Sequence, residues 1–183
     1  MTTALPYHHV NVLTGLKSAR IIEDPIEYAS LIKRAKRPLL VVGPNVLKES
    51  LGGKPVIEWV LLVAKALSMP VVATAHTKKK MLELGAPPAS SLDIIEIVNH
   101  LKDPAWPGLK KEGNHDLVVF IGVRTDLAAA GLSTLKHFAP HLKTLTLDKY
   151  VFPHASYSMP NLKDAQWQEF MEKLIAELNV KEA

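Results

Sequence analysis

Four short segments hold the residues best suited to chemistry: Gly43-Pro44-Asn45, Thr74-Ala75-His76, Gly122-Val123-Arg124 and Asp148-Lys149. Each follows an apolar run that reads as a strand. In an open α/β sheet, ligands bind outside the carboxyl ends of the strands, where the strand order reverses. Glycine at such a turn lets the backbone approach a ligand closely. Arg124 follows a strand-end glycine and precedes a helix. Its guanidinium and the first N–H groups of that helix are therefore placed to face a phosphate or an adenine ring. A salt bridge to Asp126 or Asp148 is the competing reading of Arg124. Lys78-Lys79-Lys80, the densest charge run, reads as a solvated loop or as an anion site near the same edge.

Several chemistries fail on spacing. A dinucleotide fingerprint needs three glycines; after Val42 there is one, Gly43, and Pro44 removes a backbone donor. A Walker loop fails because Gly53-Lys54 is followed by Pro55 and position 48 is Lys. His137 and His141 have the spacing of two metal ligands on one helix face. Pro140 ends the helix between them, so they read as histidines at a helix terminus. No Gly-x-Ser-x-Gly elbow and no nucleophile–base pair is present, so neither a catalytic residue nor a metal ligand is expected.

Composition narrows the class further. The 183 residues carry 22 Lys plus Arg against 18 Asp plus Glu, a net charge of +4 that is too small and scattered to argue for nucleic acid. There is no Cys, which excludes disulfides, thiolate catalysis and thiolate-held clusters within this chain. The longest unbroken apolar run, Trp59 to Ala64, falls far short of the roughly 20 residues of a membrane span. The start, Met1 to His9, lacks the basic and apolar regions of a signal peptide, so the cytoplasm is the expected compartment.

The elements that must position these residues alternate between helix and strand. Residues 1–23 read as an arm, with Ser18 to Ile22 as a short strand, and residues 24–183 as one α/β domain. Asp24-Pro25-Ile26-Glu27 is a helix start, with Asp24 as cap and Ile26, Ala29, Ile32 and Ala35 as the buried stripe. Leu39–Val42, Pro70–Ala75, Asp116–Ile121 and Leu142–Leu147 read as buried strands. Helices are expected from Pro55, from Ser90 or Ser91 as cap, over 125–138 and over 162–178. A loop is expected through Lys78–Lys80 and Gly85–Pro88, and another over 149–162. Trp59 and Trp167 read as core, and Trp106, between two prolines, as a contact surface. Short apolar strands separated by helices give a three-layer αβα sandwich around a mostly parallel, Rossmann-like sheet. A homodimer is the base-rate expectation.

The segments Arg37–Gly43, Ser68–Thr74 and His115–Arg124 resemble the central domain of thiamine-diphosphate enzymes such as acetolactate synthase, some of which bind FAD there. The flanking thiamine-binding domains are absent from this chain. Over nearly its whole length the chain is similar to the epsilon-subunit family of the archaeal acetyl-CoA decarbonylase/synthase (CO dehydrogenase) complex. Ala19–Pro25, Ala35–Pro44 and Asp116–Val123 carry that likeness. The resemblance implies a non-catalytic subunit of one-carbon metabolism and methanogenesis. It would pair with the large alpha subunit in an alpha2–epsilon2 assembly, stabilising alpha or assisting electron transfer to FAD. Implied flavin contacts fall on Gly43, Pro44, Asn45, Thr74, Gly122, Arg124 and Asp148, the last at a strand end where an acidic residue meets an adenosine moiety. Pro44 departs from the glycine-rich turn of the flavin-binding members. A stand-alone flavin- or nucleotide-binding module is the alternative. The arm (residues 1–22) and the loops 104–108 and 151–160 are the expected partner surface.

Overall fold

The computed structural model describes residues 18–180. In chain order the strands are β1 (Arg20–Ile21), β2 (Pro38–Val42), β3 (Ser50–Leu51), β4 (Lys54–Pro55), β5 (Val71–Ala73), β6 (Ser90–Ser91), β7 (Leu117–Ile121), β8 (Lys143–Thr146) and β9 (Tyr157–Ser158). The helices are α1 (Pro25–Arg34), α2 (Val56–Ala66), α3 (Ala75–Glu83), α4 (Ile94–Lys102), α5 (Thr125–Phe138) and α6 (Asp164–Asn179), with a 3₁₀ turn at Pro44–Leu47. Seven strands form one sheet in the order β1-β9-β8-β7-β2-β5-β6, and every pairing in it is parallel. From β2 the chain moves outward through β5 and β6, then returns to β7 on the other side of β2. The order therefore reverses between β2 and β7.

Strand periodicity explains the layers. Successive side chains of a strand point to opposite faces. Leu40 and Val42 of β2, with Val119 and Ile121 of β7, pack against α1, α2 and α6. Leu39 and Val41, with Val118 and Phe120, pack against α4 and α5. Both faces are covered, which is why these strands are apolar throughout. The three-layer sandwich expected from the alternation of elements is the one observed.

Local chemistry fixes the element ends. Asp24 caps α1, its Oδ1 accepting from the Ile26 N–H at 2.9 Å. Glu27 does not close a capping box; it pairs with Arg20 of the edge strand at 2.6 Å. At the next corner the Asp116 carboxylate accepts from the Lys36 and Arg37 backbone N–H groups, both at 2.8 Å, and so ties the start of β2 to the start of β7.

Several sequence expectations are corrected. Ile26 is 57% exposed, and Tyr28 takes the buried place; its hydroxyl donates to the Thr146 carbonyl at 2.8 Å, which satisfies the polar atom it buries. Lys78–Lys80 lie in α3, not a loop, because Thr77 and Met81 supply a buried pair four residues apart while alanine and lysine favour the helix. Ser90 and Ser91 form edge strand β6 beside β5 and cap nothing. Asp93 caps α4 instead, accepting from the Glu96 N–H at 2.7 Å. The loop expected over 149–162 contains β9, and Phe152, Ala155 and Met159 are buried, so this segment belongs to the core. Trp106 stacks on His100 with ring centroids 5.2 Å apart and packs against the α4–α5 core while staying half-buried, unlike the buried Trp59 and Trp167. Of the expected arm, residues 1–17 lie outside the described residues. Ala19 and Ile22 are buried, and Arg20–Ile21 pairs with β9.

Leu40 sits on the central strand with no exposed surface. Leu40→Ala is expected to lower the urea unfolding free energy by about 2–5 kcal/mol. Ile26→Ala, at a solvated position, is expected to stay within about 0.5 kcal/mol. Equal losses would contradict the assigned burial.

Candidate functional site at the carboxyl edge

All four candidate segments reach the same edge of the sheet. Gly43 follows β2, Thr74 follows β5, Gly122 follows β7 and Leu147-Asp148 follows β8. The reversal point lies between Gly43 and Gly122, where a ligand crevice is expected in this class of fold.

In this chain the two turns close on each other. The Gly43 N–H donates to the Ile121 carbonyl at 2.9 Å and the Asn45 N–H to the Gly122 carbonyl at 2.8 Å. A Cβ on Gly43 would lie 2.3 Å from the Gly122 oxygen. A Cβ on Gly122, which has φ +65°, would lie 2.3 Å from Cγ1 of Val46. Both glycines are thus required for backbone contact between the turns. The Thr77 hydroxyl donates to the Gly43 carbonyl at 3.1 Å, and the Thr74 hydroxyl lies 3.1 Å from Thr77 Oγ1. Thr74 therefore supports the turn through Thr77, a residue the sequence reading did not single out. Its signal is the Thr-x-x-Thr spacing, which places the two hydroxyls one helical turn apart.

Asp148 is the most unusual group at this edge. Its Oδ1 accepts from the Gly122 N–H at 2.8 Å, while its Oδ2 is buried with no hydrogen-bond partner among the described residues. Burial pushes its carboxyl up to about 7, the Gly122 N–H pulling it down and the Glu49 charge adding to the rise. Beside it is a cavity of about 30 Å³ bordered by Asn45, Glu49, Thr125, Asp148, Tyr150 and Phe152. That is room for about one water molecule. Arg124 is exposed and its guanidinium pairs with Asp126 in the first turn of α5, not with Asp148. Lys78–Lys80 are exposed on α3, and Lys80 pairs with Glu83 at 3.1 Å. His141 is not brought into a metal cluster: its Nε2 lies 3.2 Å from the Leu101 carbonyl. No group of three or more metal-ligating His, Cys, Asp or Glu side chains occurs among the described residues.

The turns after β2 and β7 do not offer the diphosphate of FAD the backbone donors it would need there. Binding such a group at this turn requires free backbone donors. The Gly43, Asn45 and Gly122 N–H groups are each committed to an oxygen within the chain, and Pro44 has none to give. The cavity is about a tenth of the smallest usual ligand pocket, which starts near 300 Å³.

The chain matches known proteins over most of its length. A sequence model of the family described as "CO dehydrogenase beta subunit/acetyl-CoA synthase epsilon subunit" covers residues 1–175. The chain is 43% identical over 166 residues to the acetyl-CoA decarbonylase/synthase complex subunit epsilon of Methanothermobacter thermautotrophicus, covering 91% of this chain and 92% of that one. It is 36% identical over 139 residues to subunit epsilon 1 of Archaeoglobus fulgidus, covering 75% and 72%. It is 30% identical over 161 residues to subunit epsilon 1 of Methanosarcina barkeri, covering 88% and 90%.

The Asp148 carboxyl carries a testable sign. A folded value raised from 3.8 to about 7 means that the folded chain holds this proton more tightly than the unfolded chain. Its stabilising contribution is present below about pH 4 and is lost as pH rises through 7. Asp148→Asn keeps an acceptor for the Gly122 N–H without the titration. Between pH 5 and pH 8 it is expected to gain about 1–3 kcal/mol relative to the unmodified chain, read from chemical denaturation at each pH. Parallel pH profiles for the two proteins would refute the assignment.

Proposed function

Because the chain belongs to the CO dehydrogenase beta subunit/acetyl-CoA synthase epsilon subunit family, we propose that it acts as the epsilon subunit of an acetyl-CoA decarbonylase/synthase complex. In this reading it has no catalytic residues of its own. It stabilises the large alpha (CO dehydrogenase) subunit in an alpha2–epsilon2 assembly in the cytoplasm. The absence of Cys fits that division of labour, since no thiolate of this chain can hold a cluster.

One observation carries stabilisation over flavin-linked electron transfer. The backbone donors that a dinucleotide needs at the strand-order reversal are spent on closing Gly43 against Gly122. A surface whose ligand crevice is filled by its own backbone is suited to presenting a rigid shape to another subunit. Assisted electron transfer to FAD would then need contacts from the partner subunit as well as from this chain. The alternative, a stand-alone flavin- or nucleotide-binding module, draws no support from the closed edge.

Anaerobic affinity capture of the full chain from native-host extract distinguishes these readings. Co-purification of a large nickel–iron–sulfur protein is expected, together with no saturable change on titrating the pure chain with FAD. Recovery of the chain alone, or flavin binding at micromolar affinity that Arg124→Ala abolishes, would overturn the subunit reading.

A further inference from the structure

We propose that a concavity at the opposite, amino edge of the sheet binds a small anion bearing a phosphate group. It has a volume of about 210 Å³ and lies where the chain enters β2 and β5. Three separate segments build it: residues 36–38, 67–70 and 110–115.

The charge balance of this concavity is uneven. Lys36, Arg37 and Lys110 line it against a single carboxylate, Glu112. Among the described residues none of these three cations forms a salt bridge. Asp116 forms no salt bridge with them among the described residues; its two oxygens accept the backbone N–H groups of Lys36 and Arg37 at 2.8 Å, and its negative charge stays close to the concavity. With Asp116 counted beside Glu112 the balance remains positive, which suits an anion such as a phosphate monoester.

Arg37 is held ready for such a group. Its Nε donates to the Asn114 carbonyl at 2.6 Å and its Nη1 to the Glu112 carbonyl at 3.5 Å. Gly113, with φ +109°, lies against the guanidinium, and a Cβ there would come within 3.2 Å of Cζ. The guanidinium is thus fixed by backbone through Nε and Nη1, and Nη2, with no partner among the described residues, is left to contact an anion. Leu67 and Met69 give the concavity an apolar wall, so the phosphate is expected on a small carbon body. The volume is below the roughly 300–1,000 Å³ of drug-sized sites, which limits that body to a compact one. Helix-dipole compensation explains Lys33 and Arg34 in the last turn of α1, but not Lys110, which belongs to no helix. This inference does not depend on the proposed subunit role.

The test titrates the full chain with phenyl phosphate, with benzoate as a second arm, following backbone amide shifts by NMR. Saturable shifts are expected at Lys36 and Gly113, with benzoate much the weaker ligand. Arg37→Met is expected to weaken binding about tenfold or more, as for loss of a charge-assisted contact. Lys110→Gln alters an exposed side chain that has no hydrogen bond among the described residues, so folding is preserved, and binding is expected to weaken several-fold. Arg124→Met, at the far edge, is expected to leave binding unchanged. Absence of saturation, shifts confined to the Gly43–Gly122 turns, undiminished binding in folded Lys110→Gln, or equal binding of benzoate would each overturn the proposal.

Discussion

The close contact between Gly43 and Gly122 is the constraint around which this molecule is organised. β2 and β7 are the central pair of the sheet, and the chain leaves each of them in opposite lateral directions. Such a reversal ordinarily leaves a crevice. Here two side-chain-free residues let the turns meet, and two backbone hydrogen bonds hold them together. Neighbouring groups then serve the contact. Thr77 supports the Gly43 carbonyl, Val46 fills the space over Gly122, and Asp148 receives the Gly122 N–H. The cost appears as a buried carboxyl held near neutrality. This is the kind of local tension that a tightly packed interior tolerates only when the surrounding contacts outweigh it.

The fold was legible in the sequence because its strongest signals are local and redundant. Leu39–Val42 and Leu117–Ile121 are continuous apolar runs between helices, and the boundaries of α5 follow from its turn residues. Where reading failed, the missing information was tertiary. α3 has only Thr77 and Met81 on its buried side, too few to show a period beside three lysines. Ser90–Ser91 are polar and gain strand structure only from the neighbouring β5. Tyr28 outranks Ile26 in the core because a carbonyl from β8 waits for its hydroxyl, and nothing near Tyr28 in the chain announces it.

The candidate site shows the same division. Sequence placed Gly43, Asn45, Thr74, Gly122, Arg124 and Asp148 at one edge, and the structure brings them to that edge. It could not show that Gly43 and Gly122 serve each other, since that depends on a distance between two turns some 80 residues apart. Pro44 was the one local sign, a missing donor where a phosphate would need one. The edge reads as a nucleotide site by residue type and as a closed joint by geometry, and geometry decides what the donors can do. The basic concavity at the amino edge presents the reverse situation. No motif marks it, because Lys36, Arg37 and Lys110 are ordinary surface residue types that only the fold brings to one concavity.

Amide hydrogen exchange of the Asn45 N–H tests the closed joint most directly, because that proton lies on the bond between the two turns. A closed edge predicts exchange in the free chain as slow as that of the β2 and β7 strand amides, with no change on adding FAD. Rapid exchange in the free chain, slowed only when FAD is present, would show an open crevice waiting for its ligand and would contradict the structural role assigned to Gly43 and Gly122.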